Sequence, residues 1–183
     1  MSFRNSGLAA QPFAHLYGLD DEALARHNAR RYVADTQPGF PCRVTLEDAL
    51  PGERVLLVHH VHQPAATPFQ ASHAIYVRED ALAPRDMSHD SLHCAAPAAS
   101  EAAATATPAT FDDEVPASLR DRTLSLRAFD AEGMMIDADL TEGPDVETLI
   151  ERLLARKETA YVHAHYARRG CYAALIERVE NKA

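Results

Sequence analysis

Tryptophan is absent from this 183-residue chain, and aromatic residues make up only 7% of it. Its core must therefore be built mostly from Leu, Ile, Val and Ala. Cysteine is scarce as well: Cys42, Cys94 and Cys171 are three in number and widely spaced. An odd, scattered set argues against a disulfide framework and predicts a reducing compartment, with the cytoplasm as the default location. No apolar run approaches the roughly 20 residues of a membrane-spanning helix. The opening Met1-Ser2-Phe3-Arg4-Asn5 lacks the basic region and long apolar stretch of a signal peptide. Basic residues are outnumbered 18 to 27, for a net charge of −9. Such a field repels phosphate backbones and anionic lipid, so neither nucleic acid nor a membrane surface is an expected partner. Arg30-Arg31 and Arg168-Arg169 are pairs, too short to form a basic patch. Also missing are a phosphate-cradling glycine loop, the zinc-protease helix motif and a nucleophile elbow.

What is present has the proportions of an ordinary globular protein, 46% hydrophobic and 25% charged. The length suits a single domain over residues 1–183 with a core that needs no staples. A strand should begin near Phe3. A short helix follows, with Asp20 or Leu19 near its start and Asp21 and Glu22 in the first turn, where acids suit the helix dipole. Arg31 to Asp35 reads as a strand, and Leu50-Pro51-Gly52-Glu53 as a turn. Arg54 to His62 is the best strand, with Leu56, Val58, His60 and His62 on one face and Val55, Leu57, His59 and Val61 on the other. Ser72 to Arg78 is its neighbour across a proline-bearing loop. From about residue 81 to 114 the composition turns to Ala, Ser, Thr and Pro, which predicts a flexible insertion. Beyond it, Pro116 to Arg122 reads as a short helix. Leu124 to Asp130 and Met134 to Leu140 form a hairpin, with Gly133 supplying positive φ. Pro144 opens a helix with Val146, Leu149, Ile150, Leu153 and Leu154 as its apolar stripe, ending near Lys157. Strands Thr159–Tyr166 and Cys171–Val179 close the chain. Strands joined by short turns predict an α+β fold, mainly an antiparallel sheet with two or three helices packed on it.

Chemistry concentrates in histidine and cysteine. In Tyr161-Val162-His163-Ala164-His165 the alternation puts both histidines on one strand face, where they can converge on one ion. Cys171 opens the next strand, and tight pairing would bring it near them. Two imidazoles and a thiolate match the donor set that zinc prefers, with His62, His60, His73 or Cys42 as a fourth ligand. The competing reading leaves His163 and His165 hydrogen-bonded on a half-exposed sheet face and Cys171 as a small buried residue. His62 and His73 flank the proline loop and can meet at its base, where either could serve as a general acid or base. In Gly39-Phe40-Pro41-Cys42-Arg43 an arginine adjoins a thiol. This suggests a metal-free enzyme using Cys42 or Cys171 with a histidine partner. Arg43, or Arg127 on the hairpin, could instead hold a small anionic molecule in a non-catalytic module.

Six segments occur together in a distinctive order. They are Pro38-Gly39-Phe40-Pro41-Cys42-Arg43-Val44, Leu50-Pro51-Gly52-Glu53, His62-Gln63-Pro64, Ser72-His73-Ala74-Ile75-Tyr76-Val77-Arg78, Leu124 to Asp130, and Val162-His163-Ala164-His165 with Gly170-Cys171-Tyr172-Ala173-Ala174. In this the chain resembles the bacterial "domain of unknown function" family numbered 1203, over nearly its whole length except the Ala-rich stretch. The resemblance directs attention to Cys42, Arg43, His62, Arg127, His163, His165 and Cys171, and implies no activity.

Overall fold

A computed structural model describes residues 2–83 and 107–179. Among these, in chain order, lie β1 (Phe3–Ser6), α1 (Asp21–Arg26), β2 (Arg30–Val33), β3 (Arg54–Gln63), β4 (Ala71–Arg78), β5 (Thr110–Asp112), α2 (Ala117–Arg120), β6 (Leu124–Phe129), β7 (Met135–Thr141), α3 (Val146–Leu154), β8 (Tyr161–Tyr166) and β9 (Cys171–Arg178). Short 3-10 turns add Gln11–Leu16, Asp80–Leu82 and Gly143–Asp145. All strand pairings within the two sheets are antiparallel, and the fold is α+β as expected. Of the segment expected as an insertion, residues 84–106 lie outside the described residues, with His89, His93 and Cys94 among them. Its two ends carry order: Leu82 is buried, and β5 adds a strand to β1.

The strands form two sheets rather than one. Six stand in the order β5-β1-β9-β8-β6-β7, and three in the order β2-β3-β4. Alternation divides each central strand between two faces. On one face of the large sheet, Leu124 and Leu126 of β6, Val162 and Ala164 of β8 and Ile176 of β9 pack against α3. The helix contributes Val146, Leu149, Ile150, Leu153 and Leu154, the stripe expected from its spacing. It ends at Leu154, short of Lys157, because its last carbonyls find other donors. Thr159 Oγ1 donates to the Leu153 carbonyl and Arg178 Nε to that of Leu154, each at 2.8 Å. The opposite cluster joins Leu56 and Val58 of β3, Ile75 and Val77 of β4, and Tyr172 of β9. Cys42, Phe13, Leu16 and Leu24 extend it, so the small sheet packs on the large one at its central strands β9 and β8, on the face away from α3.

Two local signals behave as read. Asp20 caps α1 by accepting from the Ala23 amide at 2.8 Å, and Gly133 turns the β6–β7 hairpin at φ 84°. Gly143 shows where backbone closeness fixes a residue: a Cβ there would stand 2.0 Å from the Arg120 carbonyl oxygen. Gly143→Ala should accordingly lower stability by about 2–3 kcal/mol, the upper part of the overpacking range, as read from urea unfolding midpoints. A change within error would mean that α2 yields freely.

Candidate metal centre

Three strands of two sheets bring histidines to one place. The regular β3–β4 pairing sets His60 opposite His73, then passes from Val61–Ser72 directly to Gln63–Ala71. His62 is the extra residue of this bulge, and bulges re-aim the side chain they carry. Its ring stacks on His73 with centroids 4.8 Å apart, and His73 Nδ1 lies 2.8 Å from His62 Nε2 in a hydrogen bond. The expected meeting of these two histidines at the loop base is thus a direct contact. From the large sheet, His163 and His165 of β8 face the same space, their rings 5.5 and 5.0 Å from that of His62. Both are buried between the sheets, at 4% and 0% exposure. The half-exposed sheet face expected in the competing reading is therefore an interlayer.

One ligand nitrogen each from His62, His73 and His165 falls within 4.8 Å of the others, close enough to converge on a cation. His165 is the best prepared. Its Nδ1 lies 2.9 Å from the Gly170 carbonyl, which can only accept, so Nδ1 carries the proton and Nε2 keeps its lone pair. That Nε2, together with His62 Nδ1 and His163 Nδ1, is buried without a hydrogen-bond partner among the described residues. Buried polar atoms are normally satisfied, so these ring nitrogens keep lone pairs or protons free for a further partner. His62 and His73 would have to part slightly. Two nitrogens on a tetrahedral zinc stand roughly 3.3 Å apart, given Zn–N distances near 2.0–2.1 Å.

The electrostatics keep the rings neutral. Burial and then His163 push His62 down to about 3. Burial and then Arg127 push His163 down to about 4. Burial lowers His165 to about 2, against the opposing hydrogen bond to Gly170. His73 is lowered too, by burial, Arg127 and Arg43 in that order. Neutral imidazole is the metal-binding form. Arg127 sits opposite His163 in the β6–β8 register, and among the described residues no carboxylate bonds it; its hydrogen bond to Ser125 Oγ is long at 3.5 Å. A cation so placed favours an anion beside the histidines.

Other expected participants stand elsewhere. Cys171 does not join the histidines, and the reason is a second bulge. Pairing of β8 with β9 steps from Ala164–Ala174 to His165–Tyr172, leaving Ala173 as the extra residue. A one-residue offset exchanges the faces of everything beyond it. Tyr172 therefore faces the histidines, stacked on His62 at 5.0 Å, while Cys171 pairs with Tyr166 and looks into a different cleft. Cys42 is buried, its sulfur accepting from the Arg78 amide at 3.3 Å, and Arg43 donates to the Tyr172 and Pro41 carbonyls. His60 contacts Phe13 and Tyr172 by ring edges, and His59 is exposed beside Ser72. Tyr172 was the residue that sequence reasoning missed. Its only signal was an aromatic beside Cys171, and a bulge leaves no mark on alternation.

Beside the histidines opens a cleft of about 460 Å³, lined by His62, His163, Gln63, Tyr161 and Gly133 among others. Gln63 Nε2 donates to the Tyr161 hydroxyl at 2.8 Å, and Thr67 Oγ1 to the Gly133 carbonyl at 3.1 Å, tying the two sheets at its rim. No helix among the described residues is long and apolar enough to cross a membrane. No curated protein and no solved structure matches the chain. A family model does, described as "Protein of unknown function (DUF1203)", over residues 39–102 and 98–178. The match covers most of the chain and both halves of the histidine cluster, and the protein belongs to the DUF1203 family.

Proposed function

We propose that this protein binds one transition-metal ion, zinc by its donor set, through His62, His73 and His165. The observation that carries this reading is the convergence of three ring nitrogens from three strands. It is reinforced by the fixed tautomer of His165, whose Nε2 has no other partner. Three neutral imidazoles with a further position for water are a donor set that zinc uses in catalysis, where it lowers the pKa of bound water to near neutrality. His163, with its free Nδ1 and its place in the cleft wall, is positioned to accept a hydrogen bond from such a water. Arg127 would favour a hydroxide or an anionic substrate at that position. The free thiols Cys42 and Cys171 suit a reducing compartment such as the cytoplasm.

The thiol-enzyme reading has less support. Cys42 is sealed in the core, and among the described residues the cleft that Cys171 lines has no histidine in its wall.

Metal content on untagged protein, purified without chelator and then equilibrated with zinc, tests the proposal. About one ion per chain is expected, with affinity reduced at least about a hundredfold in His165→Ala. Substitution with cobalt(II) should give the visible absorption of a four-coordinate site. Protein that stays metal-free after equilibration would refute the reading, and the histidines would then be interlayer packing.

A further inference from the structure

On the other side of Tyr172 lies a second and larger cleft, of about 880 Å³. Four arginines, Arg43, Arg122, Arg168 and Arg169, line it against one acid, Asp121. This inverts the balance of a chain that carries a net charge of −9. Arg122 is neutralised by Asp48, at 2.6 Å. Arg43 is not neutralised by any carboxylate among the described residues. It is only 3% exposed, yet its Nε donates to the Tyr172 carbonyl at 2.9 Å and its Nη1 to that of Pro41. Those two bonds occupy two of the five N–H groups of a guanidinium. The remaining three, two of them on Nη2, have no partner among the described residues, and this side chain is part of the cleft wall. Below it the Tyr166 ring lies 4.9 Å from the guanidinium carbon, a weak compensation for a desolvated charge. Burial pushes the Arg43 guanidinium below its ordinary range, the direction expected of a cation held without a counter-charge.

We infer that this cleft is a binding site for the oxyanion group of a small molecule, a carboxylate or phosphate, seated against the free Nη2 side of Arg43 with Arg168 and Arg169 at the mouth. A buried charge is stable only when paired, and a bidentate oxyanion matches the free end of a guanidinium fork. The inference does not rest on the metal reading: among the described residues the two cleft walls share none, although Arg43 touches the Tyr172 backbone.

Cys171 lies in the same wall and reports on the site. Its alkylation, mapped by peptide mass spectrometry apart from Cys42 and Cys94, can be timed with anionic iodoacetate and with neutral iodoacetamide. At constant ionic strength made up with chloride, inorganic phosphate or succinate should slow both reagents about fivefold or more. Iodoacetate should compete well with iodoacetamide despite the chain's negative charge, and lose about tenfold in Arg43→Gln or Arg168→Ala/Arg169→Ala. The double variant alters only exposed side chains, so it decides the matter if Arg43→Gln fails to fold. Protection by phosphate alone, or by succinate alone, identifies the head group. Protection by neither, or equal protection by chloride, overturns the inference.

Discussion

Between pH 7 and 5 the metal-free protein should lose roughly 5 kcal/mol of unfolding free energy. In the unfolded chain His62, His163 and His165 titrate near 6.5, whereas in the fold burial holds them at about 3, 4 and 2. Across that window the unfolded state binds more protons, so stability falls as pH falls. Each group contributes up to about 1.4 kcal/mol per pH unit, which makes the limiting slope for three about 4 kcal/mol per unit. The stabilisation is fully present above pH 6.5 and is lost progressively below it. Carboxylates do not confuse the reading, because their contribution lies mainly below about pH 4.5. A loss of this size is comparable to the whole stability of many domains, so the protein should unfold in mildly acidic buffer. Urea titrations at half-unit steps would measure the slope, and His165→Gln should remove about one third of it. A flat profile would mean that the cluster accepts protons without unfolding, which contradicts the desolvation seen at these rings.

Replacing Ile150 by alanine should be the costliest single truncation on the helical side of the sheet, about 3–5 kcal/mol. Ile150 has no exposure and stands midway along α3, the helix that covers the faces of β6 and β8. A rigid sheet lies beneath it and the helix backbone above, so neither wall can collapse into the space left. The loss should be the same at pH 7 and pH 5. Ile150 belongs to the cluster on one face of the large sheet and the histidines to the other, and separated sites add. Thermal or urea unfolding of Ile150→Ala at both pH values would check this. A loss that differs by more than about 1 kcal/mol between them would show the two faces to be coupled.

Much of this architecture is legible from local pattern. The α3 stripe, the Asp20 cap, the Gly133 turn and the inward set of β3 all follow from side-chain period and turn chemistry, which depend only on near neighbours. His62, His73 and His165 were each within reach of the same reasoning. What local pattern cannot carry is pairing across the chain. That is why the strands read as one sheet when they form two, and why the histidines looked half-exposed when a second sheet covers them. It also explains the misplaced thiol. Regular pairing puts Cys171 on the face of His163 and His165, and only the extra residue Ala173 turns it away and brings Tyr172 in. Arg43 is legible as an anion candidate, but the contact that fixes its guanidinium, to the carbonyl of Tyr172, lies 129 positions distant and leaves no local mark.

The histidines come from both sides of positions 84–106: His62 and His73 before it, His163 and His165 after it. Bringing the two halves together closes a loop of roughly ninety residues, and the entropy of such a closure grows only as the logarithm of its length. Doubling the loop would add no more than about 0.6 kcal/mol. A change in the number of residues between the two halves therefore alters the closure entropy at the site very little. Relatives that differ greatly in size there can keep the same cluster.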